Sequence, residues 1–197
     1  MLYFLCRLLA RGIFQFFCRV HVVFLEEPSQ KKSLIVASNH ISHFDPALLS
    51  AFFPRPLAWV AMKELFTHPW AARFFSWLGT IAIDRFGKKS GSNRHALKKM
   101  RIALAAGKAL GIFPEGGIRS GTASILERAP MKPGLASLSI TTQTPVIPCV
   151  ILGTDRLYSK HAWLRRTLLW MIVGRAITPH ALDATNREEA FHSFEKN

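Results

Sequence analysis

The residues best equipped for chemistry crowd into one short stretch, VASNHISHFDPALL, residues 36–49. His40, His43 and Asp45 fall within six positions, after an apolar run and directly before Pro46. Three readings are open. An imidazole beside a carboxylate can act as a general base, with the carboxylate fixing the tautomer and steadying the imidazolium. The His-x-x-His-x-Asp spacing also offers three ligands to a metal. Hydrolytic zinc sites usually want a third nitrogen or a Cys, and none of the other six histidines lies in a comparable motif after a strand. The third reading is structural: Pro46 suits the first helical position, which makes Asp45 a natural cap. On one regular helix, five residues would put His40 and Asp45 about 140° apart. A strand–turn–cap path is therefore needed to bring them together.

A second reactive-looking loop is GIFPEGGIRSG, residues 111–121. Gly116 and Gly117 let backbone amides approach a ligand. Arg119 carries a planar fork suited to phosphate, and Glu115 can hold a hydroxyl or orient a cation. The ordinary alternative is a glycine turn with a solvated charge pair. TIAIDRFGKKS, residues 80–90, ends a strand in Asp84 and Arg85, and PMKPG places Lys132 just before a helix whose N-terminus favours anions.

Alternating patterns define the elements that must carry these loops. Strands are expected over 33–38, 57–62, 80–84, 109–113, 145–153 and 168–174. Helices are expected from Pro46 onward and over 69–79, 92–107, 134–143 and 187–196. This order predicts an α/β fold with a largely parallel or mixed sheet flanked by helices. Sheets of that kind place functional loops at the carboxyl ends of their strands, where the loops after Ser38, Ile83 and Phe113 fall.

The 197 residues suit one sizeable core, and 49% are apolar. Twenty-six Lys and Arg against twelve Asp and Glu give a net charge of +14, which points to an anionic partner. Cys6, Cys18 and Cys149 are scattered and form neither a zinc spacing nor a disulfide framework. Residues 1–27 read as an amphipathic helix. Arg7, Arg11, Gln15 and Arg19 recur every four positions among Phe and Leu, a pattern expected to lie in a membrane interface with arginines at lipid phosphates. The arginines interrupt any clean spanning segment, and no small-residue cleavage site follows. Residues 26–33 read as a linker, and 33–197 as a compact domain.

Taken together the motifs resemble the glycerolipid acyltransferase family, and within it the lysophosphatidate acyltransferases. Asn39, His40 and Asp45 match its Asn-His-x-x-x-x-Asp block. KELF at Lys63–Phe66 and GTIAIDR at Gly79–Arg85 match the second, Phe113–Gly116 the third, and VIPCVI with Pro148 the last. All occur in order within 34–153. One departure is present: Gly117 stands where the family commonly has Thr, and Ile118 shifts Arg119 by one position.

The resemblance implies acyl transfer from acyl-CoA or acyl carrier protein to the free hydroxyl of lysophosphatidate, giving phosphatidate. Another lysolipid or an amine is the alternative acceptor, and outside acyl transfer the alternatives are a metal-dependent hydrolase and a non-catalytic basic binding module. His40 would be the base and Asp45 its orienting partner, with no covalent intermediate and no metal or other cofactor. Lys63, Arg85 and Arg119 would hold the acceptor phosphate. Glu115, Gly116 and Gly117 would complete substrate binding, the two glycines offering backbone donors to an oxyanion. His43 would be structural. Phospholipid membrane, lysophospholipid and acyl thioester are the implied partners, without nucleic acid. The implied location is membrane-associated, on the cytoplasmic face.

Overall fold

The computed structural model describes residues 2–84 and 93–179. The helix expected over 187–196 lies outside the described residues. Seven strands form one sheet: β1 (Cys18–Phe24), β2 (Leu34–Ser38), β3 (Leu57–Met62), β4 (Ile81–Ile83), β5 (Ala109–Ile112), β6 (Val146–Leu152) and β7 (Thr167–Val173), in the order β1-β7-β6-β2-β5-β3-β4. Every neighbouring pair is parallel except β6 and β7. The sheet is thus mixed and largely parallel. Strand β2 is buried along its whole length because both faces are covered: Leu34 and Val36 join one core, Ile35 and Ala37 the other. An unbroken apolar run is what such a strand requires.

Helices α1 (Leu2–Phe17) and α2 (Asp45–Phe52) cover the first face through Phe14, Leu48 and Leu49. Helices α4 (Arg94–Ala105) and α5 (Gly134–Thr142) cover the second through Ala96, Met100, Leu104, Leu135 and Leu138. The other α-helices among the described residues are α3 (Pro69–Trp77) and α6 (Lys160–Leu164). Each of the six strands expected from sequence is present.

The N-terminal segment departs from expectation. The helix does not run over 1–27: α1 stops at Phe17, and Cys18–Phe24 becomes an edge strand paired with β7 from Cys18↔Thr167 to Phe24↔Val173. Its VHVVF run alternates in burial and is rich in β-branched residues, which suit a pleated surface. The sheet therefore extends to the N-terminal side of the boundary placed at residue 33. The 26–33 linker is tied down by Arg55, whose guanidinium donates to Ser29 O and Lys32 O at 2.7 Å and to Gly107 O at 2.6 Å.

The arginine stripe is also corrected. Arg7 donates to the carbonyls of Phe53 at 2.7 Å and Ala51 at 3.4 Å, at the C-terminal end of α2 where a cation is favoured. Arg11 lies over the Phe52 ring at 5.4 Å. Both arginines turn toward α2. The face of α1 left open to solvent is apolar, with Phe4, Leu5, Leu8, Leu9 and Phe16 exposed.

Candidate active site

Strands β6, β2 and β5 are adjacent and parallel at the centre of the sheet, so their carboxyl ends share one edge. His40 follows β2, Phe113–Glu115 follow β5 and Thr154 follows β6. Asn39 marks where β2 and β6 separate. Its side-chain amide donates to Ile151 O at 2.8 Å, and its oxygen accepts from Ile151 N at 2.7 Å, taking the place of a backbone pair.

Asp45 is fully buried and sits in the first turn of α2. It does not cap that helix through its own amides, as the sequence suggested. Phe44 holds the cap position without a side-chain bond, and the Asp45 carboxylate reaches backward. Its Oδ2 accepts from Ile41 N and Ser42 N at 2.8 Å and meets His40 Nδ1 at 2.9 Å. Oδ1 accepts from the Thr154 hydroxyl at 2.5 Å. A carboxylate is acceptor-only, so a proton on the facing His40 nitrogen completes the set. That leaves Nε2 as the basic nitrogen. The ring also stacks on Phe113 at 4.0 Å, and Phe113 stacks on Trp59 at 5.1 Å. The orientation of His40 is therefore fixed both in its plane and across it.

Glu115 occupies a different role from the one its motif suggested. It is buried, and its oxygens are used internally: Oε2 accepts from His40 N at 2.8 Å, Oε1 from Ser124 Oγ and Ile125 N at 2.8 Å. It clamps the β2 loop to the 124–125 turn. Gly116 has φ +70, and a Cβ there would meet Lys132 Cε at 2.6 Å. Its N–H donates to Phe113 O at 3.0 Å, so it is not free for an oxyanion. The Gly117 N–H has no hydrogen-bond partner among the described residues, and Gly117 lines the cleft described below.

Among the described residues, the expected phosphate cations Lys63 and Arg119 do not line the cleft. Lys63 pairs with Asp84 at 2.6 Å, a contact that raises its pKa first through that hydrogen bond. Arg119 is exposed and is not among the cleft-lining residues; its backbone N–H donates to His40 O at 2.7 Å. Arg85 lies outside the described residues. Lys132 does line the cleft, lying against Gly116.

His43 turns away from Asp45 to Tyr158, with Nδ1 2.6 Å from the hydroxyl and the backbone N–H donating to it at 3.0 Å. Among the described residues no three His, Cys, Asp or Glu side chains are grouped as metal ligands. Thr154 and Tyr158 were missed in sequence. Both belong to the TDRLY turn after β6, a strand end like the others, where a threonine and a tyrosine beside the charged Asp155 and Arg156 carry no signal of their own.

His40 borders a cleft of about 1320 Å³, larger than the roughly 300–1,000 Å³ usual for small-molecule sites. Its walls are mostly apolar, including Trp59, Val60, Phe74, Leu78, Met100 and Leu138. These features define an α/β protein with an imidazole–carboxylate pair at the carboxyl edge of its sheet, opening on an apolar cleft.

The chain belongs to the acyltransferase family, whose sequence model matches residues 19–152. It is 29% identical over 165 residues to a 1-acyl-sn-glycerol-3-phosphate acyltransferase of Helicobacter pylori, covering 82% of this chain and 67% of that protein. It is 33% identical over 134 residues to the enzyme of the same name from Saccharomyces cerevisiae, covering 68% of this chain and 43% of the relative. The chain thus spans less than half the length of the yeast relative. The fold is also that of the 1-acyl-sn-glycerophosphate (LPA) acyltransferase PlsC from Thermotoga maritima, with a TM-score of 0.70 at 21% identity, covering 98% of this chain and 74% of that one.

Proposed function

We propose that this protein transfers a fatty acyl group from an acyl thioester, carried by coenzyme A or acyl carrier protein, to the free hydroxyl of lysophosphatidate. The observation that carries the reading is the His40–Asp45 contact at the edge of an apolar cleft large enough for a lipid chain. His40 Nε2 takes the hydroxyl proton as the oxygen attacks the thioester carbonyl, a general-base step worth about 10²–10⁴-fold. Asp45 holds the tautomer and stabilises the imidazolium. The tetrahedral oxyanion needs a preorganised donor, and the unengaged Gly117 N–H supplies one. Collapse expels the thiolate, which leaves with the proton held by His40. Because the thioester is already activated, no enzyme nucleophile, metal or other cofactor enters. Ser42 is fully buried, and its Oγ accepts from Phe44 N at 3.2 Å.

Lys132 is better placed than Lys63 or Arg119 to meet an anionic headgroup beside this pair, since it lines the cleft and forms no ion pair among the described residues. The apolar outer face of α1 suits a bilayer surface on the cytoplasmic side, where both lipid substrates would be reached. Among the described residues no helix is long and apolar enough to cross a membrane. The test is purified protein with labelled acyl-CoA or acyl carrier protein and a panel of lysolipids. Lysophosphatidate should be acylated without added metal, and His40→Ala and Asp45→Asn should each lose about 10²–10⁴-fold in kcat. Near-normal turnover in the His40→Ala protein refutes the mechanism.

A further inference from the structure

Helix α3 carries an exposed face that the core does not use. Trp70, Arg73, Phe74 and Trp77 follow the i, i+3, i+4, i+7 spacing of one helix face. All four are exposed, the two indoles at 74% and 71%, while Ala71 is the helix's one buried residue. Two tryptophans so far out of the core are costly in water, where each leaves a large apolar ring hydrated. Indole with a neighbouring guanidinium is the combination that settles at a bilayer interface, the ring among upper acyl chains and the cation among phosphates. Helix α3 also borders the cleft, through Phe74 and Phe75, and α1 borders the same cleft through Tyr3, Cys6 and Ala10.

We propose that the Trp70–Arg73–Phe74–Trp77 face of α3 is a second membrane-docking surface, which with the outer face of α1 seats the cleft on an anionic bilayer. The inference rests on the lipid-substrate reading above for its purpose, but not for its geometry. A second copy of the chain is the poorer occupant. Each copy carries +14 and this face carries a further-exposed arginine, so two copies repel where an anionic leaflet attracts. A bilayer also accepts both helices at once, because it is an extended surface rather than a pocket. Docked so, the cleft takes lipid from the leaflet between α1 and α3.

The experiment compares the full chain with its Trp70→Gln/Trp77→Gln variant, whose substitutions lie on the surface and leave the core intact. Vesicles of phosphatidylglycerol and phosphatidylcholine are sedimented with each protein, and brominated lipids report tryptophan insertion by quenching. Vesicle affinity should fall by about 10- to 100-fold, and bromolipid quenching should drop, with circular dichroism unchanged. Turnover of vesicle-embedded lysophosphatidate should fall more than turnover of a short-chain, water-soluble analogue. Equal vesicle affinity and equal quenching in the two proteins overturn the proposal. So does a wild-type dimer on gel filtration that the variant dissolves while vesicle binding is unchanged. Wild-type protein that docks through these tryptophans yet leaves lysophosphatidate unacylated supports the docking face and defeats the acceptor assignment instead.

Discussion

Replacing Glu115 with glutamine separates a clamp from a substrate ligand. The carboxylate accepts three hydrogen bonds, one from His40 N and two from Ser124 Oγ and Ile125 N, each at 2.8 Å. A glutamine amide has one accepting oxygen and one donating nitrogen. If the oxygen faces the 124–125 turn, the amide nitrogen opposes the His40 N–H. If it is flipped, the nitrogen opposes the Ile125 N–H, while the serine hydroxyl can rotate to accept. Either way one backbone N–H beside a residue only 5% exposed loses its acceptor. An orphaned buried donor costs about 1–3 kcal/mol, and the surviving bonds lose their charge assistance. The sum is about 2–4 kcal/mol, a fall in Tm of about 4–16 °C for a chain of this size. Thermal unfolding by calorimetry measures the stability, and steady-state kinetics the activity. The expected result is lower Tm and lower kcat, because the His40 loop loosens, with little change in the KM for lysophosphatidate. An unchanged Tm with a raised acceptor KM would refute this reasoning and return Glu115 to the substrate.

Two other perturbations follow from the same geometry. Thr154→Val removes the hydroxyl that donates to Asp45 Oδ1 and should cost about 1–3 kcal/mol in stability and lower kcat; Thr154→Ser keeps the donor and should restore both, so equal behaviour of the two variants would exclude the hydroxyl. Burial pushes the Cys149 thiol from an ordinary 9.0 up to about 12, so a thiol reagent near pH 8 should modify half-buried Cys6 first and leave Cys149 untouched until unfolding. The sign for stability follows: the neutral thiol is favoured in the fold, its contribution is whole below about pH 9 and is lost as pH rises toward 12. Cys149→Ala should shrink that alkaline loss in pH-dependent denaturation, and an unchanged profile would contradict the assignment.

Much of the architecture was written locally. The apolar runs of β2, β5 and β6 could be read as strands because each is short, uninterrupted and bounded by turn residues. Helix α4 showed its helical period in the same way, with Met100 and Leu104 turned to the core. His40 and Asp45 could be paired from sequence because only five positions separate them, so the strand–turn–helix path itself brings them within reach. The first helix was overextended for an equally local reason: Cys18–Phe24 continues the apolar content of α1, and only its pairing with β7, about 150 residues away in sequence, makes it a strand.

What sequence alone settled was therefore which segments are regular and which stretch sets His40 beside Asp45, since both depend on near neighbours. What the tertiary structure alone decided was who faces whom across the sheet's edge. The order β6-β2-β5 brings Thr154 to Asp45 and Glu115 to the backbone of His40. The same packing turns Arg7 and Arg11 onto α2 and commits Lys63 to Asp84. Those contacts span up to 109 positions, and they depend on strand neighbours that no local pattern encodes. A buried carboxylate looks the same in sequence whether its oxygens point at a substrate or at the protein's own amides; the sheet order and burial decide it, because a charge sealed from water must find its donors inside.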